Sequence, residues 1–141
     1  MELQNTKYYT PDITEFYTMF EYEVSNDKGI TWIEEEFHLN DSHIDLIKYV
    51  KIQDDGKNSY LIRVKYLDKE DIESLGWRLS PRETHYSIEI PGDGSDTQMY
   101  YQEDNYYTMI YDWDGQSIFK GYIKNKSELI KLMKQLGIWK N

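Results

Sequence analysis

The chain has 141 residues, carries 26 acidic against 16 basic side chains for a formal net charge of −10, and contains no cysteine. Its length suits one compact core, and the lack of cysteine excludes disulfide frameworks, thiolate metal sites and cysteine nucleophiles. The acidic balance argues against binding to nucleic-acid phosphates or anionic membranes, and no apolar run approaches the ~20 residues that span a bilayer.

The predicted elements begin after residues 1–11, which we expect to form a loosely ordered lead. Apolar and aromatic residues alternate with polar ones over residues 16–24, a pattern that predicts a half-buried strand. Residues 26–29 are turn formers, among them Gly29, and residues 30–39 resume an extended pattern. These two strands are therefore predicted to pair as a hairpin.

The middle of the chain predicts two helices separated by a strand. Residues 40–50 combine helix caps with apolar residues at helical spacing, although residues 50–52 also fit a strand. Residues 60–66 alternate and are rich in β-branched and aromatic side chains, which is typical of a strand. Asp68 can cap a short helix that Gly76 ends.

Short strands dominate the chain from residue 77 onward, and turn formers separate them. The predicted strands cover residues 77–79, 86–90, 98–102, 106–112 and 117–124. The last predicted element is an amphipathic helix. Asn125 is its N-terminal cap, Glu128 stands three residues further on as in a capping box, and Gly137 ends it.

Together these elements predict an α+β fold. It would comprise one antiparallel sheet of about six or seven strands, a C-terminal amphipathic helix and one or two short helices. No repeat, low-complexity tract or linker interrupts the sequence, so we expect residues 1–141 to form a single domain.

Few side chains form a pattern that carries chemistry. No Gly-x-Ser-x-Gly turn, phosphate-binding glycine loop or dinucleotide fingerprint occurs. His38, Asp41, His43 and Asp45 cluster, but their spacing matches no metal signature, and helix capping with exposed imidazoles explains them more simply. Residues 112–115 resemble part of a calcium loop whose first and last ligand positions are wrong, which favours a hairpin turn. We therefore predict no catalytic residue, cofactor or metal ion.

Charge and aromatic side chains are distributed unevenly along the chain. Residues 1–119 have a net charge of −15 and residues 120–141 of +5, and no Lys or Arg lies between Arg82 and Lys120. Many of the 14 tyrosines lie in that base-free stretch. They indicate either a solvated sheet face with acidic turns or a protein-binding surface. The residues predicted for such a surface are Tyr86, Glu89, Tyr100, Tyr101, Glu103, Asp104, Tyr106, Tyr107, Tyr111 and Trp113.

Three segments, Asp12–Glu23, Tyr66–Trp77 and Ile123–Ile138, carry a resemblance to a known group of proteins. They are similar to segments of small uncharacterised accessory proteins of tailed phages that infect gut Bacteroidetes, crAss-like phages among them. The resemblance spans most of the chain in order. It implies a phage protein made inside a bacterium, and it transfers no catalytic or binding residue.

From these observations we expect a non-enzymatic phage protein of the bacterial host cytoplasm that binds, and could inhibit, a host, phage or defence protein. The N-terminal sequence has no secretory pattern, in keeping with that location. One alternative is a nucleotide-binding protein or sponge, in which aromatic rings stack on the base and Arg82, Lys120 or Lys124 meets phosphate. A second alternative is a minor virion component, and a homodimer also stays open. We expect no binding to membranes and no direct binding to nucleic acid.

Overall fold

This computed structural model of the chain describes residues 7–38, 61–92 and 94–139. The chain divides into two compact units, Met1–Tyr66 and Leu67–Asn141. Each unit contains an apolar cluster of its own. The single domain expected from the sequence stays a prediction, and the helix or strand predicted within residues 40–52 lies outside the described residues.

The first unit contains a four-stranded antiparallel sheet, here called the N-terminal sheet, with strand order β1-β4-β2-β3. Its strands are β1 Tyr8–Tyr9, β2 Glu21–Ser25, β3 Ile33–Glu36 and β4 Leu61–Lys65. A 3₁₀ helix, Ile13–Glu15, lies between β1 and β2. Strand β1 therefore falls within the stretch expected to be a loosely ordered lead.

Alternation buries one face of the N-terminal sheet. Tyr22 and Val24 of β2 are buried in one cluster with Ile62 and Val64 of β4. The Phe16 ring contacts Tyr22 edge-on, with the two ring centroids 5.4 Å apart. Edge-to-face aromatic pairs stabilise a core beyond the contribution of the apolar area that they bury.

Strand β2 begins later than the alternation predicts. Met19 has φ of 81°, and the Phe20 N–H donates to the Tyr17 carbonyl at 2.9 Å, closing a turn inside the stretch predicted as strand from residue 16. A non-glycine residue with positive φ cannot continue a strand, so the side-chain pattern extends beyond the strand itself.

The predicted hairpin between β2 and β3 is confirmed, because the two strands pair antiparallel. Gly29 lies in the turn with φ of 91°. The Thr31 hydroxyl and N–H both donate to the Asp27 carboxylate, at 2.6 and 2.9 Å. These bonds favour the charged carboxylate and lower the pKa of Asp27 to about 2.

The second unit contains a five-stranded antiparallel meander, here called the C-terminal sheet, in which every strand pairs with its neighbours in sequence. Its strands are β5 Arg78–Leu79, β6 Tyr86–Glu89, β7 Asp96–Tyr101, β8 Tyr107–Tyr111 and β9 Ser117–Tyr122. Short turns at the predicted positions join these strands. The prediction of a C-terminal strand meander is therefore confirmed.

Two helices, α1 Lys69–Ser74 and α2 Lys126–Gln135, belong to the second unit. Their buried apolar residues, Ile72, Leu129 and Met133, lie in one cluster with apolar residues of β6, β7 and β8. The cap predicted for α1 is confirmed, because the Asp68 carboxylate accepts a hydrogen bond from the Asp71 N–H at 2.9 Å. One face of the sheet is thereby covered by helices.

The ends of α2 follow the predicted signals closely. The Asn125 side chain accepts from the Glu128 N–H at 2.8 Å, while the Glu128 carboxylate accepts from the N–H of Lys124, one residue before the cap. Gly137 has φ of 76°, and the Ile138 N–H donates to the Met133 carbonyl at 3.0 Å. This pattern ends a helix through a left-handed residue and buries the next apolar side chain.

The α+β class and the C-terminal helix are thus confirmed, but the strands form two sheets of four and five strands rather than one. The chain passes from one apolar cluster to the other within a few residues. Val64 belongs to the cluster of the first unit, and Leu67 belongs to that of the second. Local alternation does not specify which strands pair, and pairing decides the number of sheets.

Candidate protein-binding surface

The two faces of the C-terminal sheet differ in chemistry. Tyr86, Met99 and Ile110 are buried on the face covered by the helices and lie opposite one another across β6, β7 and β8. Neighbouring residues point the other way because side chains alternate along a strand. This second face, here called the open face, carries Arg78, His85, Ser87, Gln98, Tyr100, Tyr107, Met109, Tyr111, Lys120 and Tyr122.

Aromatic rings contact one another along the open face. The Tyr100 ring lies 5.3 Å from the His85 ring and 5.8 Å from the Tyr111 ring, measured between centroids. Tyr107 and Tyr122 lie opposite each other on β8 and β9, with centroids 5.2 Å apart. Tyr122 is 67% exposed. The rings therefore form two contacting groups in a row across the strands, and the Tyr122 end of this row reaches solvent.

Acidic residues lie on both sides of this row, at the two ends of the strands. The end with the β6–β7 and β8–β9 turns carries Glu89, Asp96, Asp112 and Asp114, while the end with the β7–β8 turn carries Glu103 and Asp104. Glu89 and Asp96 are directly opposite each other. Like charges in that position repel at a cost in stability, and Arg78, whose Nη2 lies 3.8 Å from Asp96 Oδ1, offsets part of their negative charge.

The structure separates the residues predicted for the surface into two groups. Tyr100, Tyr107 and Tyr111 lie on the open face, where the rings of Tyr100 and Tyr111 contact each other. Tyr86 and Tyr101 instead belong to the covered face, because they occupy the other phase of the alternation. Tyr86 is only 7% exposed, which removes it from any binding surface of this unit.

The remaining predicted residues lie in turns at the margins of the open face, or on the strand beside one. Glu103, Asp104 and Tyr106 belong to the β7–β8 turn, where Tyr106 has φ of 63°. Glu89 ends β6, and Trp113 in the β8–β9 turn is 65% exposed. These side chains surround the aromatic row rather than extend it.

The sequence prediction missed several members of the open face, above all Tyr122. It was confined to the base-free stretch that ends before Lys120, whereas the surface continues across β9. Ile118, Lys120 and Tyr122 alternate with Phe119 and Gly121, and this alternation is the signal that could have identified them.

One shallow depression lies at the acidic end of the open face. It has a volume of about 240 Å³ and is lined by Asp96, Gln98, Asp112 and Trp113 together with Gly94 and Gly115. Sites for small ligands are ordinarily enclosed and measure about 300–1,000 Å³. The depression is better suited to a side chain of a partner than to a whole small ligand.

His85 and Asp112, two side chains that could support catalysis or metal binding, have structural roles in turns. The Thr84 hydroxyl lies 3.0 Å from His85 Nδ1, and the Thr84 N–H donates to Ser80 Oγ at 3.1 Å, so all three residues stabilise the β5–β6 turn. Asp112 accepts from the Asp114 and Gln116 N–H groups, each at 2.9 Å, as expected of the predicted hairpin turn.

Over residues 7–38, 61–92 and 94–139, the side chains that could bind a metal ion are dispersed. His38 Nε2 lies 3.2 Å from Glu36 Oε1, and the other members of the predicted cluster, Asp41, His43 and Asp45, lie outside the described residues. Within those ranges no three His, Asp or Glu side chains are placed to hold a metal ion.

Comparisons with protein families, with curated proteins and with solved structures found no match to this chain. Neither of the described helices has the length and the apolar composition needed to cross a membrane. The case for function therefore depends on the chemistry of the open face and its margins.

Proposed function

We propose that the chain is a non-enzymatic interaction protein that binds a protein with a basic surface through the open face of the C-terminal sheet. The observation that carries the proposal is the row of tyrosines between two acidic margins. Tyrosine offers rigid contact area with a polar tip and little loss of conformational entropy on binding. Acidic margins attract a basic partner and accelerate its association.

The same charges favour a different protein over a second copy of this chain. Two open faces brought together with their strands aligned would place one acidic margin against another in either orientation, because both ends of the strands carry acids. Like charges across an interface cost several kcal/mol. A partner with Lys or Arg around an apolar centre would instead neutralise them.

The resemblance to accessory proteins of tailed phages supports a setting for this function. We propose a partner inside the bacterial host, either a host or defence protein whose activity the binding blocks or another phage protein. A basic groove that normally holds nucleic acid would complement the acidic margins, since carboxylates can occupy the positions of phosphates.

The experiment is capture from bacterial lysate at low and moderate salt, followed by calorimetry with the purified partner. We expect a basic partner, retention that weakens as salt rises, and a loss of affinity of about 30-fold when Tyr122→Ala and Trp113→Ala are combined. The matched control is Ile30→Ala, which removes an apolar side chain that is 80% exposed in the other unit.

Two outcomes would contradict this proposal. Equal loss of affinity in the double variant and in Ile30→Ala would show that the open face is not the binding surface. A nucleotide detected by native mass spectrometry in freshly purified protein would favour the small-ligand alternative.

A further inference from the structure

We infer that the depression at the acidic end of the open face binds one arginine side chain of the partner, with the guanidinium stacked on Trp113 and paired with the Asp96 carboxylate. The inference rests on the proposed function, because it names the group of the partner that enters this surface. Protein interfaces commonly depend on a few aromatic and arginine side chains that enter pockets of the other protein.

The first argument is the size of the depression. Its volume of about 240 Å³ is below the range for whole small ligands and accommodates the end of one long side chain. Among the described residues, a Cβ atom at Gly115 would have no neighbour within 4 Å, and one at Gly94 would have only Glu89 Oε2, at 3.9 Å. The two glycines therefore leave the depression open to a partner.

The second argument is the Trp113 side chain, which lines the depression and is 65% exposed. Within residues 7–38, 61–92 and 94–139 its indole makes no ring contact or hydrogen bond, whereas the tyrosine rings of the open face contact one another. Among aromatic side chains, the indole face binds a cation most strongly. Trp113 is therefore available to a cation from outside the chain.

The third argument is the charge around the depression. Asp96 and Asp112 line it, and Glu89 Oε2 lies at its rim. Arg78 offsets one of these acids, but its Nη2 lies 3.8 Å from Asp96 Oδ1, which is too long for a hydrogen bond. Three carboxylates beside one guanidinium leave negative charge that a second guanidinium would complement.

The other bases near β9 lie further along the sheet. Lys120 is opposite Met109, three residues before Asp112, which corresponds to about 10 Å along the strand. Lys124 and Lys126 follow the opposite end of β9. Exposed charges are largely screened from one another beyond about 10 Å at physiological salt. These lysines therefore do not neutralise the depression.

The N-terminal sheet indicates why arginine fits better than lysine. There the Arg63 guanidinium stacks on the rings of Tyr8 and Trp32 while it pairs with the Glu23 carboxylate. A planar guanidinium can make both contacts at once, whereas an ammonium group is a strongly hydrated point charge. A site with one indole ring and carboxylates beside it therefore favours arginine.

A second copy of the chain is a poor source of this arginine. The sequence contains three arginines. Arg63 is held inside its own sheet, and Arg78 already lies beside Asp96. Arg82 is exposed in the β5–β6 turn, but Glu83 follows it directly and would be repelled by the acids of the depression. We therefore assign the arginine to a different protein.

The test titrates the full chain with three peptides, acetyl-Gly-Ser-X-Ser-Gly-amide, in which X is arginine, lysine or citrulline. Citrulline has the shape of arginine without its charge. In NMR spectra the Trp113 indole N–H signal should shift with the arginine peptide, while that of the buried Trp77 stays in place. We expect the arginine peptide to bind about threefold more tightly than the lysine peptide and about tenfold more tightly than the citrulline peptide.

Variants separate the ring, the carboxylate and the competing cation. Trp113→Leu removes the ring but keeps an apolar side chain, and Asp96→Asn removes the charge; each should weaken binding of the arginine peptide about fivefold. Arg78→Ala should strengthen it about threefold, because it removes a cation that competes for Asp96. The matched control is Arg82→Ala, which loses the same charge in the β5–β6 turn and should leave the affinity unchanged.

Equal binding of the arginine and citrulline peptides, or equal affinity of Trp113→Leu and the unmodified chain, would overturn the inference. Equal effects of Arg78→Ala and Arg82→Ala would also overturn it, because they would indicate a general effect of charge. Self-association of the chain that Arg82→Ala abolishes would do the same, since the occupant would then be a second copy.

The proposed function is tested separately with the captured partner. If the peptides fail but this partner binds Tyr122→Ala less tightly than Ile30→Ala, the proposed function stands and only the arginine site fails. If the partner binds both variants equally, the proposed function fails as well.

Discussion

The two sheets use aromatic and acidic residues in different ways. On the N-terminal sheet the Arg63 guanidinium lies between two rings, 3.6 Å from the Tyr8 centroid and 3.9 Å from the Trp32 centroid. Its Nε is 2.7 Å from Glu23 Oε1, directly across the strand pair. On this sheet Arg63, a cation of the chain itself, therefore contacts two aromatic rings and a carboxylate.

On the C-terminal sheet the rings contact one another instead. Tyr100 contacts His85 and Tyr111, Tyr107 contacts Tyr122, and the acids lie at the margins. The same residue types therefore surround an internal cation on one sheet and contact one another on the other, where Arg78 Nη2 lies 3.8 Å from Asp96 Oδ1. Under the proposed function, a cation of the partner would have on the open face the role that Arg63 has on the N-terminal sheet.

The largest expected effects test whether the two units unfold together. Trp77 is 2% exposed in the second unit and Phe20 is fully buried in the first. Either Trp77→Ala or Phe20→Ala should lower the free energy of unfolding by about 3–5 kcal/mol, because each leaves a large cavity. Urea unfolding followed by residue-specific NMR signals measures the effect on each unit.

If residues 1–141 form a single domain, as predicted from the sequence, the unfolding midpoints of all NMR signals should shift together in both variants. Separate unfolding transitions, with each variant affecting only its own unit, would contradict that prediction. The two sheets would then belong to independent domains.

The next effect concerns the internal cation of the N-terminal sheet. Arg63→Ala should lower the free energy of unfolding by about 1–2 kcal/mol, since it removes the stacking on two rings and leaves Glu23 without this partner. Arg63→Lys is the matched control, because it keeps the charge and loses the planar group. Chemical denaturation measures both, and a full recovery of stability by lysine would show that stacking contributes little.

The third prediction concerns a tyrosine on the covered face, in contrast to those of the open face. Burial raises the pKa of the Tyr101 hydroxyl, and this hydroxyl donates to the carbonyls of Leu67 and Ile123, each at 3.3 Å. The unfolded chain therefore releases this proton more readily than the folded protein. Stability is fully present below pH about 10 and falls as pH rises beyond it.

Tyr101→Phe should therefore lower the free energy of unfolding by about 1 kcal/mol at pH 7 and make stability less dependent on pH between about 9 and 11. Denaturation at several pH values measures both effects. The same slope against pH in the variant and in the unmodified protein would contradict the assignment of Tyr101 to the covered face.

The smallest expected effects on stability come from two pairs of acids that lie opposite each other, one pair in each sheet. Glu34 lies opposite Glu23 on the N-terminal sheet, as Glu89 lies opposite Asp96 on the C-terminal sheet. Glu34→Gln and Glu89→Gln should each raise the free energy of unfolding by about 0.2–0.5 kcal/mol by relieving repulsion. Only Glu89→Gln should weaken partner binding, and an equal loss with Glu34→Gln would indicate a general charge effect.

Much of the local structure could be predicted because its causes are local. Asp68 and Asn125 accept hydrogen bonds from the starts of α1 and α2, and Gly137 takes the positive φ that ends α2. Each signal acts over one helical turn, so the sequence contains it completely. The turn at Gly115 was predictable for the same reason, with φ of 84°.

The candidate surface was predictable only in part. The abundance of tyrosine and acid in residues 83–119 indicated where a binding surface would lie, yet the sequence placed Tyr86 and Tyr101 on it. Their neighbours Tyr100 and Tyr107 look no different in the sequence. The face that each ring occupies depends on the phase of its strand relative to the core.

What the sequence determined by itself was therefore most elements of the second unit, their caps and turns, and the uneven distribution of charge. Only the tertiary structure decided that the strands form two sheets, that Arg63 reaches across to Glu23, and that Tyr122 joins the open face. These features depend on contacts between residues far apart along the chain. Such pairing is selected by the burial of a whole face rather than by any local pattern.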